Sequence, residues 1–168
     1  MIASKVGITK PSIYYHFKTK EDLISRTFEH IFRDHHFYTY FKMDLVTKEN
    51  FIEVLYQGGL DMLPDDNQEH FAMLRVLSEF MILAEREELY RMRIMNIQQD
   101  FLNGFRDLLL KGLELGLVPS RNVDYKAHML ALVIDNISRC MMMNFTMDYE
   151  GVWKEAVNSV LIRDVSAD

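Results

Sequence analysis

Val6-Gly7-Ile8-Thr9-Lys10-Pro11-Ser12-Ile13-Tyr14-Tyr15-His16-Phe17-Lys18-Thr19-Lys20-Glu21-Asp22-Leu23 compresses a tight turn, a short helix and the start of a second helix into one stretch. Gly7 can take the left-handed backbone that closes a helix, and the Thr9 hydroxyl can cap the next one. Pro11 falls in the first turn, where no intrahelical donor is lost. The pattern therefore predicts a helix from about Lys10. Ile13 and Phe17 are four residues apart and share its inward face, while Pro11, Ser12, Tyr15 and His16 project elsewhere with Tyr14 at the flank. That outward face is polar, aromatic and free of acid. Thr19 restarts a helix, with Glu21 and Asp22 in its positive first turn and Lys20 beside amides able to hold a phosphate. A short helix with such a face, set between two tight turns, has the character of an element that reads DNA.

Charge supports the placement. The chain has 168 residues, 49% hydrophobic and 26% charged, with a net charge of −6. Residues 1–20 hold four lysines and no acid, so the remainder has 15 basic against 25 acidic residues, a net −10. An overall acidic protein thus concentrates its basic character where the turn-helix-turn lies. The single cysteine, Cys140, excludes an intrachain disulfide framework and suits a reducing cytoplasm. The most apolar run, Met129 to Ile134, is far shorter than the roughly 20 residues a membrane-spanning helix needs.

Ile2-Ala3, followed by Val6 through Leu23, is similar to the helix-turn-helix signature of the TetR family of bacterial transcriptional regulators. The resemblance is long and nearly ungapped, though it covers only about the first eighth of the chain. It implies a dimeric repressor with an N-terminal DNA-binding domain and a larger all-helical domain for ligand binding and dimerisation. In that family the positions matching Lys10, Pro11, Ser12, Tyr14 and His16 meet the major groove or its walls, and the one matching Lys20 meets a phosphate. Thr9 and Tyr15 complete the candidate DNA-contacting set. The resemblance also calls for a further helix ahead of Met1, so the reading domain is expected to begin upstream of this sequence.

Beyond Lys20 the spacing is helical, and the expected fold is all-α. Leu23, Ile24, Thr27, Phe28, Ile31 and Phe32 form one apolar stripe on a connector helix that closes a first domain over 1–32. The second domain, 33–168, opens on Asp34-His35-His36-Phe37-Tyr38-Thr39-Tyr40-Phe41, read as the helix running out into packed loop. Helices are then expected over about Lys48 to Met62, capped by Thr47 with Phe51, Ile52, Leu55 and Tyr56 on its face, and from Gln68 into the mid-80s, with Pro64-Asp65-Asp66-Asn67 as the breaker between them. From Glu85 to Leu117 two apolar sides, one of them carrying Leu89, Met92 and Met95, predict a central helix ended by Gly116 and Pro119. Asp124 is expected to cap a helix to about Asn144, and a last helix over about Tyr149 to Ile162 carries a stripe at Val152, Trp153, Ala156, Val157, Val160 and Leu161. These last two, 124–144 and 149–162, are expected to pair with a second copy as a four-helix interface.

Methionine and phenylalanine are abundant, at 12 and 11 residues, and many fall in the middle helices. Adaptable thioethers and rings suit a pocket for a bulky apolar or amphipathic effector, and embedded polar groups need partners there. The candidate effector set is Tyr56, Met62, Arg75, Glu79, Met92, Arg93, Asn96 and Phe101. His30, Asp34, His35 and His36 are the densest group of metal-ligand types, but adjacent histidines rarely face one ion, so no metal site is expected. Cys140 has no histidine in its helical turn and reads as an inert thiol. No glycine-rich phosphate loop or nucleophile motif is present, so neither cofactor nor catalysis is expected. The sequence thus reads as a ligand-responsive regulator that holds double-stranded operator DNA. The alternative is a ligand-binding or scaffolding dimer that no longer binds DNA.

Overall fold

The structure, a computed structural model, describes Lys5, Gly7, residues 9–64 and residues 68–162. The chain divides into two compact units, Met1–His35 and His36–Asp168. The described secondary structure is entirely helical. The first unit holds α1 (Lys10–His16) and α2 (Lys20–Ile31). The second holds α3 (Phe37–Tyr40), a single 3₁₀ turn (Met43–Leu45), α4 (Phe51–Asp61), α5 (Gln68–Ala84), α6 (Glu88–Glu114), α7 (Val123–Met142) and α8 (Tyr149–Val160).

In the first unit the stripe of α2 is used as its spacing requires. Phe28 and Phe32 are buried with ring centroids 4.6 Å apart, and Leu23, Ile24, Thr27 and Ile31 are half-buried around them.

The second unit is built around the C-terminal half of α6. Phe101, Phe105, Leu108 and Leu109 are buried there, against Phe37 and Phe41 of the α3 segment, Phe51 and Leu55 of α4, Leu130 of α7, and Trp153 and Val157 of α8. Along its length α6 packs on α5, α7 and α3, while α8 packs on α4 and α7. Four aromatic rings form the middle of this core: Phe37 stacks on Phe41 at 4.3 Å, Phe105 meets Phe37 at 5.0 Å, and Trp153 lies 6.3 Å from Phe105. Such contacts need thin helix surfaces opposite the rings. A Cβ at Gly104 would stand 2.0 Å from the Phe37 ring, and one at Gly59 would stand 2.2 Å from the Trp153 indole. The Trp153 ring nitrogen then donates to the Tyr56 carbonyl at 2.9 Å, satisfying the one polar atom of a fully buried side chain.

Several expectations are corrected here. Residues 37–40 form a helical turn rather than loop, because the Asp100 carboxylate accepts the Phe37 amide at 2.8 Å while Phe37 and Phe41 drop into the core. Thr47 does not cap α4: Asn50 stands at the N-cap, its side chain accepting from the Thr47 amide at 2.7 Å and donating to the Leu45 carbonyl at 2.8 Å, so residues 47–50 are a closed turn. Ile52 consequently faces outward. Asp124 does not cap α7 either. Asn122, in left-handed backbone at φ +62°, holds that position, and Asp124 instead accepts from Arg106 at 2.7 Å. The N-terminal half of α6 is not apolar on two buried sides, since Leu89, Met92 and Met95 are exposed; of that half, Tyr90 is buried, against Phe80 of α5.

The end of α6 follows the glycine rule. Gly116 takes φ +77°, and the amides of Gly116 and Leu117 donate back to the carbonyls of Leu113 and Gly112 at 3.0 and 2.9 Å.

Candidate nucleic-acid interface

The reading segment assembles from local chemistry alone. Gly7 has φ +69°, a backbone that L side chains rarely adopt. Thr9 is extended at the N-cap of α1, and its hydroxyl accepts the Ser12 amide at 3.3 Å and pairs with the Ser12 hydroxyl at 2.8 Å. Pro11 sits in the first turn. The helix stops at Phe17, whose extended backbone starts a short link to Thr19. Thr19 repeats the device, accepting the Asp22 amide at 3.0 Å and so starting α2 at Lys20. Two helices are thus set by two threonine caps with only Phe17, Lys18 and Thr19 between them.

Side-chain directions sort as the spacing requires. Ile13 and Phe17 are half-buried, whereas Pro11, Ser12, Tyr14, Tyr15 and His16 are exposed. Tyr15 is the most open of the aromatics at 87%, with the His16 ring edge-on to it at 5.1 Å. Thr9 and Lys18 are exposed on either side of α1, and Lys20 is exposed at the start of α2. The structure therefore places Thr9, Pro11, Ser12, Tyr14, Tyr15 and His16 on α1 and its N-cap, with Lys20 at the start of α2 beyond the link. Lys10 begins that helix; its side chain lies outside the described residues, as do Ile2, Ala3, Val6 and Ile8. An acid-free helix with hydroxyl, phenol and imidazole groups outward can offer hydrogen bonds and ring edges to base edges, and a lysine at a helix N-terminus can meet a phosphate.

Electrostatics at the second turn were only half legible. Glu21 and Asp22 complement the positive end of α2 as expected. Asp22 does more: its carboxylate accepts from Arg26 at 2.9 Å and from the Lys18 amide at 3.0 Å, and these bonds hold it below the usual carboxylate range. Glu21 is also lowered, first by its own backbone amide and then by the Thr19 hydroxyl. Arg26 lies over the Phe17 ring at 5.8 Å. The four-residue spacing of Asp22 and Arg26 was the available signal for this arrangement.

The other candidate groups are more scattered. Phe101 is buried against Phe37 and Tyr40, and Tyr56, Met62 and Arg93 are half-buried, but Arg75, Glu79, Met92 and Asn96 are exposed. His30, Asp34 and His36 are exposed and His35 is half-buried; among the described residues no three His, Cys, Asp or Glu side chains are grouped to hold a metal ion. Cys140 is half-buried, in an open groove of roughly 530 Å³ on α7 and α8 lined by residues that include Tyr125, Met129, Leu132, Met147 and Val152. Those five are at least 37% exposed. By contrast Trp153, Val157 and Val160, expected on the association stripe, are buried within their own unit. Among the described residues no helix is long and apolar enough to cross a membrane.

Residues 1–27 match the family model for bacterial regulatory proteins of the tetR family, a match that ends within α2 at Thr27. No curated protein and no solved structure gives a significant match to the chain. The capped turn-helix-turn and the family match fall on the same residues, so the N-terminal segment is similar to the helix-turn-helix of tetR-family regulators, a likeness that supports a DNA-binding role in transcriptional regulation.

Proposed function

We propose that this protein is a transcriptional regulator, a cytoplasmic homodimer that represses transcription by holding operator DNA through α1 and releases it on binding a small apolar or amphipathic effector. The observation behind this reading is the exposed, acid-free face of α1 held between the Thr9 and Thr19 caps. Thr9, Lys10, Pro11, Ser12, Tyr14, Tyr15 and His16 meet the groove and its walls, and Lys20 meets a phosphate. Two copies reading one operator need a separation of roughly 34–36 Å, one turn of duplex, or a multiple of it.

Dimerisation is assigned to the outer face of α7 and α8. Tyr125, Met129, Leu132 and Val152 expose a continuous apolar strip of the kind that a two-fold interface covers. Effector binding is assigned to the methionine- and aromatic-bearing helices α4 to α6, with Tyr56, Met62, Arg75, Glu79, Met92, Arg93, Asn96 and Phe101 as candidate contacts. Release follows if the effector favours a state in which the two copies of α1 no longer match successive grooves.

Selection of duplexes from a random library by the intact chain tests the first assignment. Enrichment of a sequence with two related half-sites supports it, and no enrichment refutes it. Leu132→Glu tests the second, because a carboxylate there is solvated in a monomer but buried in an interface. Sedimentation should report monomers for this variant and dimers for the unaltered chain. A thermal-shift screen of hydrophobic compounds, scored for loss of DNA binding, tests the third.

A further inference from the structure

Asp22 is an anomaly on a surface that meets phosphate. It is two residues from Lys20 and four from Lys18, where its charge opposes an approaching duplex. Its bonds show what it does instead. One carboxylate oxygen accepts the Lys18 amide at 3.0 Å, in the link that follows α1, and the other accepts Nε of Arg26 at 2.9 Å, one turn further along α2. The Arg26 guanidinium in turn covers the Phe17 ring, the residue at which α1 ends. Backbone, carboxylate, guanidinium and ring thereby join the end of the reading helix to the first two turns of the next. Isolated surface ion pairs contribute little, but here each member of the pair has a second partner on the other side of the turn.

We propose that Asp22 and Arg26 are positioning residues for DNA reading: they fix the angle between α1 and α2, and Arg26, although an exposed cation in the DNA-binding unit, contacts no phosphate. This rests on the assignment of α1 as the reader. The consequence is a separation of two quantities that a plain surface charge would move together. Removing the Asp22 charge strengthens sequence-independent attraction to DNA while weakening recognition of the preferred sequence.

The test uses the intact chain, a duplex that the unaltered chain enriches from a random library, and poly(dI-dC) as the unselective competitor. Asp22→Asn should lower affinity for the enriched duplex about tenfold, the scale of one charge-assisted hydrogen bond, while affinity for poly(dI-dC) holds or rises. Arg26→Ala should leave the slope of log affinity against log salt unchanged, whereas Lys20→Ala should reduce it by about one. A rise in both affinities for Asp22→Asn would overturn the proposal, as would a slope reduced by about one for Arg26→Ala. If Asp22→Asn loses helix content, Asp22→Glu decides. Restored preference supports positioning, and a fully helical Asp22→Glu chain without preference contradicts it. Failure of the unaltered chain to enrich any duplex is a different result, which removes the DNA-reading assignment itself and this one with it.

Discussion

The turn from α1 to α2 and the core around Phe37 and Trp153 are both tightly specified, but by interactions of different range. In the turn, the side-chain bonds that set the backbone span three or four residues: Thr9 to Ser12, Thr19 to Asp22, Asp22 to Lys18 and to Arg26. In the core, the Asp100 carboxylate reaches 63 residues back to the Phe37 amide, and the Trp153 indole reaches 97 residues back to the Tyr56 carbonyl. Short-range bonds fix directions of side chains at little cost in loop closure but bury little area, so the first region is well defined and weakly held. The second buries whole rings against bare helix backbone, so it is strongly held and intolerant of added atoms.

That contrast breaks first at Trp153. Trp153→Ala removes a fully buried indole and its hydrogen bond to the Tyr56 carbonyl, and should cost about 3–5 kcal/mol in urea unfolding. A cost near that of a surface substitution would mean that the core is not packed as described. Gly104→Ala comes next. The methyl would stand 2.0 Å from Phe37, and overpacking of this kind should cost about 1–3 kcal/mol, whereas Gly116→Ala meets no neighbour and is penalised through its φ of +77° alone. Thr9→Ala and Thr19→Ala should each cost about 1 kcal/mol of local stability, read by amide exchange in α1 and α2 with little change at α6. Equal loss of protection in both units would deny that the caps act locally.

The smallest effect is on pH. Asp22 and Glu21 titrate below their ordinary range in the folded chain, so protons bind them more readily in the unfolded one. Their contribution is present above the ordinary carboxylate pKa of about 4 and fades as pH falls through the lowered folded values. Acid titration followed by exchange in α2 should show that loss, and Asp22→Asn should remove much of it.

The same difference in range explains what was legible. The starts of α1 and α2, the outward set from Pro11 to His16 and the stripe from Leu23 to Phe32 follow from capping and helical spacing, which operate within a few residues. The extent of α5 and the end of α6 at Gly116 follow for the same reason. Residues 34–41 read as loop because their helical turn is held by Asp100 and the space over Gly104, neither visible from the local pattern. Thr47 and Asp124 are plausible caps by type, but the N-cap positions fall to Asn50, whose side chain closes the 47–50 turn on the Thr47 amide, and to Asn122 in left-handed backbone, while Asp124 is paired with Arg106. Met92 and Met95 share their spacing with core residues; exposure depends on what packs beside them, which periodicity does not encode. Trp153, Val157 and Val160 show the converse, a stripe expected at an interface and taken up by the core of the second unit.

The claim that α1 reads DNA is tested most directly by equilibrium binding of the intact chain to an enriched duplex across a range of salt, with Lys20→Ala and Tyr15→Ala beside it. Log affinity should fall linearly with log salt; Lys20→Ala should flatten that slope by about one without altering sequence preference, and Tyr15→Ala should cost about 1–3 kcal/mol and relax preference with the slope unchanged. Lys20→Ala changing preference while leaving the slope intact, or Tyr15→Ala leaving both untouched, would contradict the assignment of this face as the reader.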